Sequence, residues 1–188
     1  MQALIIILVI VVLGGVFMYN SLVRKKVNAE EAWSGIEVQM KRRYDLIPNL
    51  VNTVKGYAAH EEKVFMQVTE ARTSAMSVPA GSAMAAQHAQ NEGALSMALK
   101  SLFAVAEAYP ELKADQNFAK LQDELTDTED KMMAARRFYN GAVNALNTAL
   151  EVFPSNIFGR IFGFVKREFF ELSDAERAAA EVAPKVSF

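Results

Sequence analysis

The sequence of 188 residues contains no cysteine and only two histidines, His60 and His88. The absence of cysteine excludes disulfides, thiolate metal sites and a cysteine nucleophile. Neither histidine has a glutamate three positions before it, as a di-iron helical bundle requires, and residues 60–64 lack the second histidine of a zinc-protease helix. We therefore expect no metal, no cofactor and no enzymatic activity in this chain.

An excess of charge of one sign is also lacking, because 20 basic and 22 acidic residues give a net charge of −2. A nearly neutral chain offers no electrostatic reason to expect a nucleic-acid partner. The acidic run at residues 123–130 has no glycine at the turn position of a calcium-binding loop, and it lies within a helical pattern. We interpret this run as the solvent-facing side of a helix.

Glycine and proline are scarce, and the long stretches between them follow helical periodicity. Apolar residues recur every three or four positions from about residue 20 to 76, from 82 to 108, and from 115 to 153, where Asp115 can cap the helix. The sequence therefore predicts an all-α fold in which an N-terminal transmembrane helix continues into an antiparallel bundle of three long helices. Pro48 either kinks the first helix or splits it to give four, and the unbroken periodicity favours the kink.

Long hydrophobic runs are limited to one, at residues 1–23, where no side chain is charged. About 20 apolar residues are needed to cross a hydrocarbon core of roughly 30 Å. A cleaved signal peptide would need a basic residue before the run and a small-residue cleavage site after it, and the sequence has neither. We therefore predict a retained membrane anchor whose spanning side chains are Leu4, Ile5, Ile6, Ile7, Leu8, Val9, Ile10, Val11, Val12, Leu13, Val16 and Phe17.

Arg24, Lys25 and Lys26 follow the apolar run directly. Basic residues accumulate on the cytoplasmic side of a span, which predicts an outside N-terminus and a cytoplasmic bundle. The lipid bilayer is thus the first expected partner. The chain divides into the anchor (1–23), the helical bundle (24–154), a Phe-rich amphipathic segment (155–172) and a polar, Ala-rich tail (173–188).

The predicted first helix is too long for the second helix to cover. About 57 residues span roughly 85 Å, whereas about 27 residues span only about 40 Å. An apolar stripe near the membrane would then be exposed, and such stripes usually mark interfaces. We predict a homo-oligomer interface formed by Trp33, Ile36, Met40 and Arg43. The alternative, in which the third long helix covers the stripe within one chain, is equally open.

The composition changes after Pro154 to phenylalanine and basic residues. Such a segment either lies in the lipid interface or folds back to cap the bundle. Four helices in up-down-up-down order would return it to the membrane, whereas three helices would leave it far from the bilayer. The candidate contact residues are Ile157, Phe158, Ile161, Phe162, Val165 and Phe169.

Several motifs of the chain resemble those of the LemA family. They are YNSLV (19–23), AW (32–33), RRYDLIPNL (42–50), VKGY (54–57), HE (60–61), AR (71–72), EAYPELKA (107–114), LQDEL (121–125), ARRFYN (135–140) and FPS (153–155). The resemblance extends from residue 19 to about residue 170. It implies a bacterial membrane-anchored helical protein with its N-terminus outside, and it implies no reaction.

We therefore expect a non-enzymatic single-pass membrane protein that acts as a self-associating helical scaffold or interaction module. The alternative is an adaptor or regulatory subunit of a membrane enzyme such as a protease, which would then be its membrane protein partner. The size and composition of the native complex distinguish the two.

Overall fold

The computed structural model describes residues 1–171, and the polar tail lies outside this range together with Leu172. The described residues form helices and no strand, which confirms the all-α prediction. The elements are α1 (Gln2–Tyr57), α2 (Glu62–Ser77), a short 3-10 turn (Ser82–Met84), α3 (Ala85–Glu107), α4 (Pro110–Lys113), α5 (Gln116–Ala149) and α6 (Ser155–Ile161). Residues 163–171 follow α6 without helical structure, and we call them the C-terminal strap.

The four longest helices, α1, α2, α3 and α5, alternate in direction. Tyr57 at the end of α1 donates a hydrogen bond to Asp115 at the start of α5, over 2.8 Å. At the other end of the bundle, Leu22 of α1 and Ala149 of α5 line the same groove. Because α5 runs antiparallel to α1, the chain after α5 returns to the membrane-proximal end.

The first turn of α5 is fixed by Asp115, as the sequence predicted. Its carboxylate accepts hydrogen bonds from the backbone N–H groups of Asn117 and Phe118 at 2.7 and 2.9 Å. The bonds from Phe118 and from the Tyr57 hydroxyl lower the pKa of Asp115 below its ordinary value. One side chain therefore caps α5 and holds the end of α1 beside it.

The sequence predicted that the first long helix extends to about residue 76, with a kink or a split at Pro48. The helix instead ends at Tyr57, and the break lies at residues 58–61. Pro48 has no backbone N–H, so the carbonyl of Tyr44, four residues earlier, loses its helical donor. Arg72 of α2 supplies a replacement, because its Nε donates to that carbonyl over 2.8 Å. The helix thus continues through Pro48.

The stripe predicted to form an oligomer interface lies inside the bundle, so that prediction is wrong for these residues. Trp33, Ile36, Met40 and Arg43 are all buried within a single chain. The ring of Trp33 packs 5.2 Å from Tyr139 of α5 and 5.3 Å from His88 of α3. With its 34 residues, α5 reaches roughly 50 Å along α1. Coverage within the chain, the alternative that the sequence left open, is what the structure shows.

Arg43 pairs with acids of its own chain rather than with an acid of a second subunit. Its guanidinium lies 3.0 Å from Glu92 of α3 and 3.1 Å from Glu129 of α5. The Tyr44 hydroxyl donates to the same Glu92, and burial, together with that carboxylate, raises the pKa of Tyr44. This buried polar cluster joins α1, α3 and α5.

Candidate functional site at the membrane-proximal end of the bundle

Most of the apolar part of α1 projects beyond the bundle, and no element of residues 1–171 covers it there. Every predicted spanning residue from Leu4 to Phe17 is exposed. Within residues 1–171, α1 is the one helix that is long and apolar enough to cross a membrane. Arg24, Lys25 and Lys26 come next, at the level where α5 begins to cover α1. The uncovered surface therefore has the composition and length suited to lipid contact.

Helix α6 packs against this apolar part of α1. The Phe158 ring lies so close to Gly15 that a β-carbon there would be 3.0 Å from it. One turn further along α1, the ring of Tyr19 contacts those of Phe162 and Phe164, with centroids 4.8 and 5.9 Å apart. The segment after Pro154 has thus returned to the membrane end, as the four-helix order predicted.

The predicted contact residues of this segment divide into two sets. Phe158 faces α1, and Phe169 of the strap packs against the core of the bundle. The other four, Ile157, Ile161, Phe162 and Val165, are between 47% and 72% exposed, although one side of the Phe162 ring contacts Tyr19. Phe153, just before α6, is 78% exposed beside them. We call Phe153 and these four residues the apolar ridge.

The C-terminal strap is held by two asparagines of α5 that the sequence analysis did not identify. Asn147 donates to the Arg167 carbonyl and accepts from its N–H, both at 2.9 Å. Asn140 makes the same pair of bonds with Phe170, at 3.0 and 2.9 Å. Seven helical residues rise about 10.5 Å, and three extended residues about 10 Å. The spacing between Asn140 and Asn147 along α5 therefore matches the spacing between Arg167 and Phe170 along the extended strap.

Further contacts fix the strap across the bundle. The Tyr139 hydroxyl donates to the Glu168 carbonyl over 2.8 Å. Phe170 is buried beneath the guanidinium of Arg136, which lies 4.7 Å from the ring centroid. Arg167 bonds to Glu30 of α1 and to Ser82 in the α2–α3 connection. Because the strap follows α6 directly, these contacts also hold α6 against α1.

A second surface, between α1 and α5, is covered by no other element of residues 1–171. A groove of about 550 Å³ there is lined by residues of both helices, among them Lys25, Glu31, Phe138, Gly141 and Ala145. It adjoins a groove of about 510 Å³ that reaches Phe17 and Met18 of the span and shares Lys25 and Ala145 with the first. Phe138 is 70% exposed. We call the two grooves together the open α1–α5 face.

Residues 1–171 contain no cluster of metal-ligating side chains. No three His, Cys, Asp or Glu side chains converge there as they would around a metal ion. His88 is buried beside Trp33, with its Nε2 3.1 Å from the Pro79 carbonyl, so its environment is that of a packed core residue. The chemical features of the membrane-proximal end are instead its apolar surface and the basic side chains that follow the span.

The sequence model of the LemA family matches residues 32–188. The chain belongs to the LemA family. The match confirms the resemblance read from the motifs, and the structure explains several of them: Arg43 and Tyr44 of RRYDLIPNL bind Glu92, and Tyr139 and Asn140 of ARRFYN hold the strap.

Curated relatives agree with this assignment. Magnetosome protein MamQ 1 of Paramagnetospirillum magneticum is 27% identical over 175 residues, and MamQ of Magnetospirillum gryphiswaldense is 26% identical over 174; both alignments cover 81% of this chain. The chain spans 64% of the length of these MamQ proteins. Protein LemA of Metamycoplasma hominis is 23% identical over 164 residues, covering 87% of this chain and 74% of the relative. This LemA-family chain is thus a membrane-associated helical protein.

Proposed function

We propose that this LemA-family protein is a non-enzymatic membrane scaffold that self-associates laterally in the bilayer. The observation that carries the proposal is the continuity of α1. The same unbroken helix supplies both the uncovered apolar span and the buried residues Trp33, Ile36 and Met40. Because no hinge separates span from bundle, two copies in one membrane would present the same faces at the same height.

The open α1–α5 face is the surface that supports such self-association, with a second copy as its occupant. The face runs parallel to α1 and is continuous with the span at Phe17, so one contact would extend from the lipid into the bundle. Gly141 and Ala145 allow a neighbouring helix to approach closely, and the exposed Phe138 can fill a matching groove. A two-fold axis along the membrane normal makes the contact self-complementary.

The absence of cysteine makes this proposal directly testable by crosslinking. We expect the full-length Ala145→Cys variant to form disulfide dimers in native membranes. Met66→Cys is the matched control, because Met66 is exposed on α2, away from the open face. Adding Phe138→Asp should reduce the crosslinking at position 145 severalfold. Equal crosslinking at positions 145 and 66, or none at either, would contradict self-association through this face.

Native purification separates self-association from an adaptor role. The intact complex is extracted from membranes, and its subunits are counted and identified. We expect several copies of this chain as the principal component. A foreign membrane protein present in stoichiometric amount, with one copy of this chain, would instead identify an adaptor or regulatory subunit of that partner.

We also infer that the N-terminus lies outside the cytoplasm and that the bundle is cytoplasmic, at the bacterial cytoplasmic membrane. The support is the position of Arg24, Lys25 and Lys26, which follow the span directly, whereas no side chain of residues 1–23 is charged. With this orientation, α6 would lie at the inner leaflet, and the strap would lie along the cytoplasmic bundle.

A further inference from the structure

The membrane-proximal end of the bundle overlaps the span along the axis of α1. Phe158 contacts Gly15, and Phe162 and Phe164 contact Tyr19. The first charged side chain of α1 is Arg24, nine residues after Gly15, and nine helical residues rise about 13.5 Å. A span of about 20 residues that ends at this charge, near Val23, includes both Gly15 and Tyr19. The contacts of α6 with Gly15 and Tyr19 therefore fall at the depth of the bilayer.

The side chains at this depth suit lipid. Residues 152–165 contain no aspartate or glutamate. The apolar ridge, Phe153 with Ile157, Ile161, Phe162 and Val165, is between 47% and 78% exposed. Arg160 is exposed and makes no ion pair within residues 1–171, so its cation is free for an anionic headgroup. In water the ridge would be a costly exposed patch continuous with the span.

We propose that α6 is a second membrane contact, embedded in the leaflet from which α1 emerges. The apolar ridge lies among the acyl chains, and Arg160 reaches the headgroup phosphates. The strap makes this contact preorganised, because Asn140 and Asn147 hold the segment that follows α6. A span together with an interfacial helix would fix the tilt and rotation of the bundle on the membrane, which a single span does not.

Spin labelling of the full-length chain tests this proposal. Single cysteines are introduced by Ile161→Cys and Val165→Cys and labelled with a nitroxide in liposomes of phosphatidylethanolamine and phosphatidylglycerol. Ile10→Cys in the span is the lipid reference, and Met66→Cys on α2 is the water reference. Two collision rates are measured for each label: one with oxygen, which concentrates in lipid, and one with a water-soluble nickel chelate. The ratio of the two rates reports whether the label lies in lipid or in water.

We expect the labels at positions 161 and 165 to favour oxygen, as at position 10, by severalfold over the label at position 66. Nickel accessibility equal to that at position 66 would overturn the proposal, because the ridge would then lie in water. Protection from both reagents would overturn it too, since a protein surface would then cover the ridge. Circular dichroism of each labelled variant shows whether its helical fold is retained. The outcome is independent of self-association, which concerns the open α1–α5 face.

Discussion

Pro48 and Arg72 show how two residues on different helices determine the shape of α1. A proline inside a helix leaves one carbonyl without its donor, and here the carbonyl belongs to the buried Tyr44. The Nε–H of Arg72 compensates for it from α2. The side chain of Arg72 therefore acts in place of a backbone group, and its loss should matter most where proline is present.

A double-mutant cycle tests this compensation. We expect Arg72→Met to lower the free energy of unfolding by about 1–3 kcal/mol, because it leaves a largely buried carbonyl without a donor. In a Pro48→Ala background the loss should be smaller, since the backbone N–H restored at position 48 can bond to Tyr44. The measurement is unfolding of the full chain in detergent, followed by circular dichroism. Equal losses in both backgrounds would show that Arg72 does not compensate for Pro48.

The polar cluster at Arg43 shows how much the sequence alone indicates about the partner of a buried charge. The heptad places Arg43 at a buried seam position, and a buried arginine requires a partner. Its partner Glu92 is 49 positions away on a helix whose own periodicity gives no sign of the pairing. A prediction from sequence could therefore identify the need for a partner but not the partner, and it placed Arg43 in an interface between subunits instead.

At the scale of elements, α5 has two functions on adjacent faces. Its apolar positions, such as Leu125, Met132 and Tyr139, pack into the core of the bundle. Asn140 and Asn147 bind the strap in the manner of a neighbouring β-strand, each with one donated and one accepted bond. The strap in turn determines where α6 lies, so the geometry of the membrane contact depends on two amides of α5.

Removal of one of these amides should release the strap. We expect Asn147→Ala to increase the rate of tryptic cleavage after Arg167 about 5- to 30-fold, because two hydrogen bonds of about 1 kcal/mol each are lost from the closed state. Asn144→Ala is the matched control, since Asn144 is an exposed residue of the same helix that faces the open groove. Cleavage rates are measured on the full chain in liposomes. Equal rates in the two variants would exclude this role for Asn147.

At the scale of the whole molecule, the helix order places every membrane-related feature at one end. The up-down-up-down arrangement returns α5 to the level of Leu22, and α6 then lies beside the span. The opposite end, with Tyr57 and Asp115, is far from the bilayer. Because α1 is continuous, the orientation of its N-terminal end decides the compartment of the whole bundle.

Reporter fusions test this orientation. A fluorescent protein fused to the C-terminus should fluoresce, because it folds in the cytoplasm, whereas alkaline phosphatase at the same position should be inactive. Replacing Arg24, Lys25 and Lys26 by glutamine while introducing lysine at positions 2 and 3 should reverse or mix the two signals. Active phosphatase on the unaltered chain would contradict an outside N-terminus.

The sequence by itself determined the properties that depend on short-range order. The length and apolarity of residues 1–23 are local, and so are the 3.6-residue periodicity behind the all-α fold and the cap at Asp115. The motifs shared with the LemA family are also read residue by residue, and the family match confirmed them. These features need no knowledge of what lies opposite each helix.

Only the tertiary structure decided which surfaces are covered and which remain open. The stripe at Trp33 reads the same in sequence whether α5 or a second subunit covers it, and the direction of α5 settles the question. Helix α1 passes Pro48 because Arg72 lies nearby in space, and the strap binds Asn140 across 30 residues of chain. Long-range hydrogen bonds and packing partners are set by the order and direction of the helices, which local periodicity does not encode.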